Sequence, residues 1–200
     1  MTQSLKRFLL TLGVILSVLV CTLYFLIFSS APLEKDIRSQ YLKAGDFQLH
    51  LKGKPFKLSE LKGQPVILYF GYSSCPDVCP VGLAVIRDVL NSSDKFNDVK
   101  ALFVTLDPER DTPDVLREYT QFFHPNIIPL SGALENIKKV IESYGGFVRN
   151  NRPRSSEVAS NYQVDHSAYY YLIDANSELV RVLDHSATAK EIADALRRLL

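Results

Sequence analysis

The unbroken apolar run Val66-Ile67-Leu68-Tyr69-Phe70 leads within five residues to Cys75, and Cys79 follows as a helix-patterned stretch opens. The run lacks alternation, so it reads as a strand covered on both faces, the kind found at the centre of a parallel sheet. A buried strand that delivers two thiols to a helix N-terminus is a strong constraint. Helices must cover the sheet, and the thiols must stand where helix charge favours thiolate. On a helix, side chains at i and i+4 share a face about 5–6 Å apart at Cβ. That spacing suits a disulfide, whose Cα atoms lie about 6 Å apart, and equally one soft metal ion.

The N-terminus carries a second signal. Lys6 and Arg7 precede an uncharged apolar run from Phe8 to Phe28, which at about 1.5 Å per residue matches a hydrocarbon core of about 30 Å. A cleaved signal peptide is the competing reading, with Ser29 and Ala31 as small residues at the cut. The run is longer than a signal h-region of roughly 7–15 residues, and Pro32 follows the cut, where it obstructs cleavage. Lipoprotein processing at Cys21 is disfavoured because Val20 stands where a small residue is needed; Cys21 reads as a small apolar residue. The expectation is a single-pass anchor whose charged end is cytoplasmic. The N-terminus is not that of a mitochondrial transit peptide. The expected setting is the bacterial inner membrane, with the soluble part in the oxidising periplasm. There a cysteine pair is a disulfide, a redox centre or a metal site.

The formal charge is +1, from 23 basic and 22 acidic side chains. With Lys6 and Arg7 set aside the remainder is nearly neutral, so no nucleic-acid footprint exists. The basic stretch from Arg149 to Arg154 reads as a solvated loop. Residues 1–30 are expected as anchor, 31–45 as linker and 46–200 as one α/β domain. Phe47–Leu51 and Pro55–Leu58 around Lys52-Gly53-Lys54 signal an N-terminal β-hairpin. A second buried strand is expected over 99–106, a helix over 113–123 with Thr112 as N-cap and Pro113 in its first position, a short strand over 126–130 and a helix over 134–144. Residues 145–161 read as a polar loop or irregular insertion. A strand at 168–173, a turn at 174–177 and a strand at 179–183 form a second hairpin, and Thr188 with Glu191 is a capping box for a helix over 189–200. This order predicts a thioredoxin-like fold with helices on both faces of the sheet.

Two cysteines do not complete a metal site, so a further ligand must come from elsewhere. Of the four histidines, His50 lies in the N-terminal hairpin and His124 at a helix end, where a cation suits the dipole. His166 and His185 stand in the repeated tripeptide Asp-His-Ser and at the same end of the second hairpin. His166 enters that hairpin beside the cysteine loop, whereas His185 leaves it, so His166 has the better geometric claim. If it converges with the two cysteines, two thiolates and an imidazole suit copper, as Cu(I) or Cu(II). Zinc, with Asp77 or Asp165 as fourth ligand, stays open. Asp165 is also placed to orient His166.

Three motifs now stand in order: Phe70-Gly71-Tyr72 running into Cys75-Pro76-Asp77-Val78-Cys79-Pro80; Leu106-Asp107-Pro108-Glu109-Arg110-Asp111-Thr112-Pro113; and Val164-Asp165-His166-Ser167 before Tyr171-Leu172-Ile173. Together they resemble the Sco/SenC family of cytochrome c oxidase assembly proteins, from about Gly45 to the final helix. The resemblance implies a thioredoxin-like fold holding one copper ion through Cys75, Cys79 and His166. It further implies delivery of copper to the binuclear copper centre of the oxidase subunit that receives it, with an upstream copper donor as a further partner. Reduction of that centre's cysteines by Cys75 and Cys79 is the alternative. Ser73-Ser74 stands where many members have threonine, and His185 matches no ligand motif of the family. The 107–113 segment reads either as a support or docking loop, or as a proline-stiffened helix cap. A peroxidase of peroxiredoxin type would need an arginine and a threonine beside the first cysteine, and the local sequence has neither.

Overall fold

A computed structural model of the chain describes residues 3–29, 44–150 and 162–200, and the chain divides into two units, Met1–Leu33 and Glu34–Leu200. The first unit contains helix α1 (Gln3–Ser29). Its described side chains from Leu10 to Tyr24 are exposed, Leu10, Leu16 and Val20 each by 61% or more. Among the described residues no helix is long and apolar enough to cross a membrane. Residue 30 of the expected anchor and residues 31–43 of the expected linker lie outside the described residues.

In the second unit the expected hairpin forms first, with β1 (Gln48–Leu51) antiparallel to β2 (Lys54–Lys57) and Leu51 opposite Lys54. Lys52 and Gly53 fill the two-residue turn with φ of 52° and 77°, the paired positive φ that matches strand twist. The central sheet has β3 (Val66–Gly71) in its middle. β4 (Lys100–Thr105) and β5 (Ile127–Leu130) lie parallel on one side. On the other side β8 (Tyr170–Ile173) and β9 (Leu179–Leu183) add antiparallel, giving the order β5-β4-β3-β8-β9. Every residue of β3 is buried, as its unbroken apolar run requires.

Period-two geometry splits the strand between two cores. Val66, Leu68 and Phe70 face a cluster containing Ile137, Ile141 and Tyr144 from helix α4 (Leu134–Ser143) and its cap. Tyr69 points the other way, stacking on Phe103 and Tyr170 and donating its hydroxyl to the Val78 carbonyl of helix α2 (Val78–Leu90) at 3.2 Å. Phe103 in turn meets Tyr119 of helix α3 (Pro113–Phe123), and helix α5 (Ala189–Arg197) packs beside α2. Helices thus cover both faces, and the layout is the thioredoxin-like one.

The expected caps are present. Thr112 accepts the Val115 N–H with Pro113 in the first turn, and Thr188 and Glu191 form the capping box. The 145–161 stretch differs from its reading as a loop. Residues 151–161 lie outside the described residues, but Val148–Asn150 is a strand, β6, paired antiparallel with β7 (Val164–His166). Three residues with a polar core, Val148-Arg149-Asn150, show no periodicity. The pairing comes only when β7 is brought alongside.

Candidate metal centre

The cysteine loop leaves the C-terminal end of β3, and sheet topology carries the histidine to the same place. β8 runs antiparallel to β3 with Tyr69 opposite Tyr170, so the start of β8 lies beside the end of β3. β7 ends at His166, four residues before β8 begins. Cys79 Sγ and His166 Nε2 stand 3.5 Å apart. Cys75 and Cys79 are both free thiols, both buried, and hydrogen-bonded to each other. Cys75, His166, Tyr72 and Phe147 line a cleft of about 430 Å³, while Cys79 sits fully buried behind them.

The two cysteines do not share a helix face, contrary to the expectation from their spacing. α2 begins at Val78, so Cys79 occupies its second position and Cys75 remains in the preceding turn. Pro76 explains this, because a following proline disfavours helical backbone at Cys75. Pro80 sits in the first turn, where its missing N–H has no helical partner to lose. The arrangement gives Cys75 the helix N-terminus as a cradle: the backbone N–H groups of Asp77 and Cys79 donate to its sulfur. Gly71 makes room for the second thiol. A Cβ there would lie 2.7 Å from Cys79 Sγ.

Protons in the site are unequally shared. The Cys79 thiol donates to Cys75, and with the two backbone donors and His166 nearby this lowers the Cys75 pKa to about 5. The same hydrogen bond, with burial, raises that of Cys79 far above the ordinary thiol range. Tyr72 also bonds the Cys75 sulfur, and burial raises its hydroxyl pKa. The His166 tautomer follows from its partners. Nδ1 lies 2.8 Å from the Val164 carbonyl, which can only accept, so Nδ1 carries a proton and Nε2 is the ring nitrogen directed at Cys79. A backbone carbonyl thus does the orienting expected of Asp165, the arrangement typical of metal-binding imidazoles.

The trio is not a ready cage: among the described residues no group of three or more His, Cys, Asp or Glu side chains is set to hold an ion. Protons join the donors instead. Two ligands on one ion, with metal–sulfur near 2.3 Å and metal–nitrogen near 2.0 Å, are about 3.5–3.7 Å apart, and the sulfur–nitrogen gap of 3.5 Å falls in that range. Loss of the Cys79 proton therefore leaves Cys79 and His166 spaced as two ligands of one soft ion. Asp77, at the N-cap of α2, makes no capping bond and lines the cleft with Asp165.

The other histidines are elsewhere. His185 is exposed and paired with its neighbour Asp184 at 2.9 Å. His50 lies on β1, bridged to Ser131. His124 does cap α3, but not as a cation: Nδ1 accepts the Asn126 N–H at 3.1 Å, and burial lowers its pKa. Sequence reasoning missed Tyr72 and the buried network behind it. Asp111 accepts the Ser73 N–H at 3.1 Å, which ties the start of the cysteine loop to the turn after β4. Tyr162 donates to Asp107 at 2.6 Å. The signal available was two carboxylates directly after a buried strand, in a position where unpaired charge is costly.

Residues 35–200 match the family described as SCO1/SenC. The chain belongs to that family. An SCO2-like protein of Rickettsia felis is 39% identical over 155 residues, covering 76% of this chain and 75% of its relative. Bradyrhizobium japonicum ScoI, solved with copper bound, superimposes with a TM-score of 0.68 at 38% identity, covering 78% of this chain and 99% of that one. Yeast Sco1 with copper bound gives a TM-score of 0.68 at 36% identity, over 77% and 86% of the two chains.

Proposed function

We propose that this SCO1/SenC protein is a copper chaperone of cytochrome c oxidase assembly, binding one copper ion through Cys75, Cys79 and His166. The ion is cargo, delivered to the binuclear copper centre of the receiving subunit. One observation carries the reading: His166 Nε2 faces Cys79 Sγ at 3.5 Å while Nδ1–H is tied to a backbone carbonyl. Copper bound in the Sco structures of Bradyrhizobium japonicum and yeast supports it, as does the chemistry, since soft thiolate selects Cu(I) and imidazole tolerates both oxidation states. Cys75 as thiolate supplies the first sulfur, and the cleft beside it gives a receiving thiolate access for ligand exchange.

Helix α1 is the membrane anchor in this reading. Its exposed Leu, Val and Ile side chains demand an apolar surrounding, and Lys6 and Arg7 keep the N-terminus cytoplasmic. The domain then works in the periplasm, tethered beside the oxidase. A reductase reading has its own support: a low-pKa thiolate with a protonated partner thiol is the arrangement of a dithiol poised to attack a disulfide. The deciding experiment uses the full reduced chain and a receiving fragment carrying the oxidase copper motif. Copper transfer to a pre-reduced fragment, with His166→Ala inactive, supports the chaperone. Reduction of an oxidised fragment by metal-free protein, unaffected by His166→Ala and without copper transfer, would overturn it.

A further inference from the structure

The turn after β4, Asp107 to Asp111, holds two carboxylates that are each 1% exposed. Buried charge is retained at a cost unless hydrogen bonds compensate it, and here those bonds run to two different parts of the site. Asp111 takes the Ser73 N–H at 3.1 Å, the Ser73 hydroxyl, and the Thr105 hydroxyl at 2.5 Å. Ser73 lies two residues before Cys75. Asp107 takes the Tyr162 hydroxyl at 2.6 Å and pairs with Arg110, whose guanidinium covers the Tyr162 ring at 3.8 Å. Tyr162 lies two residues before Val164, and Val164 is the hinge of the histidine arm. Its N–H donates to the Tyr72 hydroxyl at 3.4 Å, and its carbonyl takes the His166 Nδ1–H.

Resting on the copper reading, we propose that the Asp107–Asp111 turn is a two-armed positioning element. Asp111 holds the cysteine loop. Asp107 with Arg110 holds Tyr162 and, through it, the strand carrying His166. The distance between the two ligand arms is therefore set by one short turn whose carboxylates are four residues apart and joined by the Asp111 N–H to Asp107 carbonyl bond at 2.9 Å. Neither carboxylate touches the ion. Both act through the residues they hold, which explains why a turn that supplies no ligand in the copper reading keeps two buried carboxyl groups.

The arms make different predictions. Tyr162→Phe removes one hydroxyl and frees the histidine arm; Asp111→Asn weakens the cysteine arm. In the metal-free full chain, labelled with ¹⁵N-histidine and held in mild detergent, Tyr162→Phe broadens or splits the His166 ring signals and leaves those of His124 and His185 unchanged. In competition with a colorimetric Cu(I) chelator, Tyr162→Phe binds about tenfold more weakly, at the lower end of the effect of outer-shell partners. Combining it with His166→Ala adds no further loss. Asp111→Asn adds its loss to that of His166→Ala, and Ser73→Ala, which keeps the backbone N–H bond to Asp111, costs less than Asp111→Asn. A general loss of stability would instead make every pair additive and move all histidine signals together. Unchanged His166 signals in Tyr162→Phe, or additivity with His166→Ala, overturn the proposal while leaving the copper reading intact. Copper affinity insensitive to His166→Ala overturns the ligand reading instead, and the metal-free spectra still decide whether the turn holds the histidine arm.

Discussion

Gly71→Ala tests whether the Cys79 thiol is held where it is by lack of space. The new Cβ would lie 2.7 Å from Cys79 Sγ and 2.9 Å from Phe103 Cε2. Phe103 cannot yield easily, because it stacks on Tyr69 and packs against Tyr119. The sulfur must give way, and reaching an ordinary contact of about 3.5 Å means a shift of roughly 0.8 Å. Metal sites tolerate about 0.2 Å in ligand distance, so the shift is about four times the allowance. Overpacking of this kind costs about 1–3 kcal/mol, and in a chain of this size each kcal/mol lowers Tm by about 2–4 °C. The expected result is a lower Tm for the metal-free protein together with weaker Cu(I) binding in chelator competition. An unchanged Tm with wild-type copper affinity would refute the claim that Gly71 sets the sulfur position.

His166→Ala is expected to weaken Cu(I) binding by more than about tenfold, or about 1.4 kcal/mol, while His185→Ala leaves it unchanged; the reverse pattern would reassign the ligand. In the metal-free protein, iodoacetamide should modify Cys75 at pH 6 and lose its rate as pH falls through about 5, with Cys79 unreactive throughout. The sign for stability follows from the same shifts. Between about 5 and the ordinary thiol value of 9.0 the unfolded chain binds a proton that native Cys75 has released, so this group's contribution is complete above 9.0 and is lost as pH falls through about 5. Cys79 has the opposite sign, since its raised pKa weakens stability only above the unfolded value. Mapping alkylation by mass spectrometry across pH 4–8 checks the assignment; equal labelling of both cysteines at pH 6 would contradict it. Thr188→Ala removes a capping box remote from the site and should cost about 1 kcal/mol with copper affinity unaltered, as read by urea unfolding and chelator competition.

The elements that could be read from the chain alone are those whose signal is local. The buried run 66–70, the Lys52-Gly53 turn and the Thr112 and Thr188 caps each depend on a few adjacent residues and their backbone preferences, and each is found where it was expected. The order of those elements was enough for the thioredoxin-like layout, because parallel buried strands have few ways to be covered. Tertiary structure decided the rest. Cys75 lies off the helix because Pro76 overrides the spacing rule, and β6 exists only as the partner of β7. The meeting of Cys79 with His166, 87 residues apart in sequence, depends on the antiparallel pairing of β3 with β8. The buried carboxylates of Asp107 and Asp111 depend on hydrogen bonds between segments distant in the chain. Such bonds leave no periodicity behind, so only folding reveals which donor each acceptor finds.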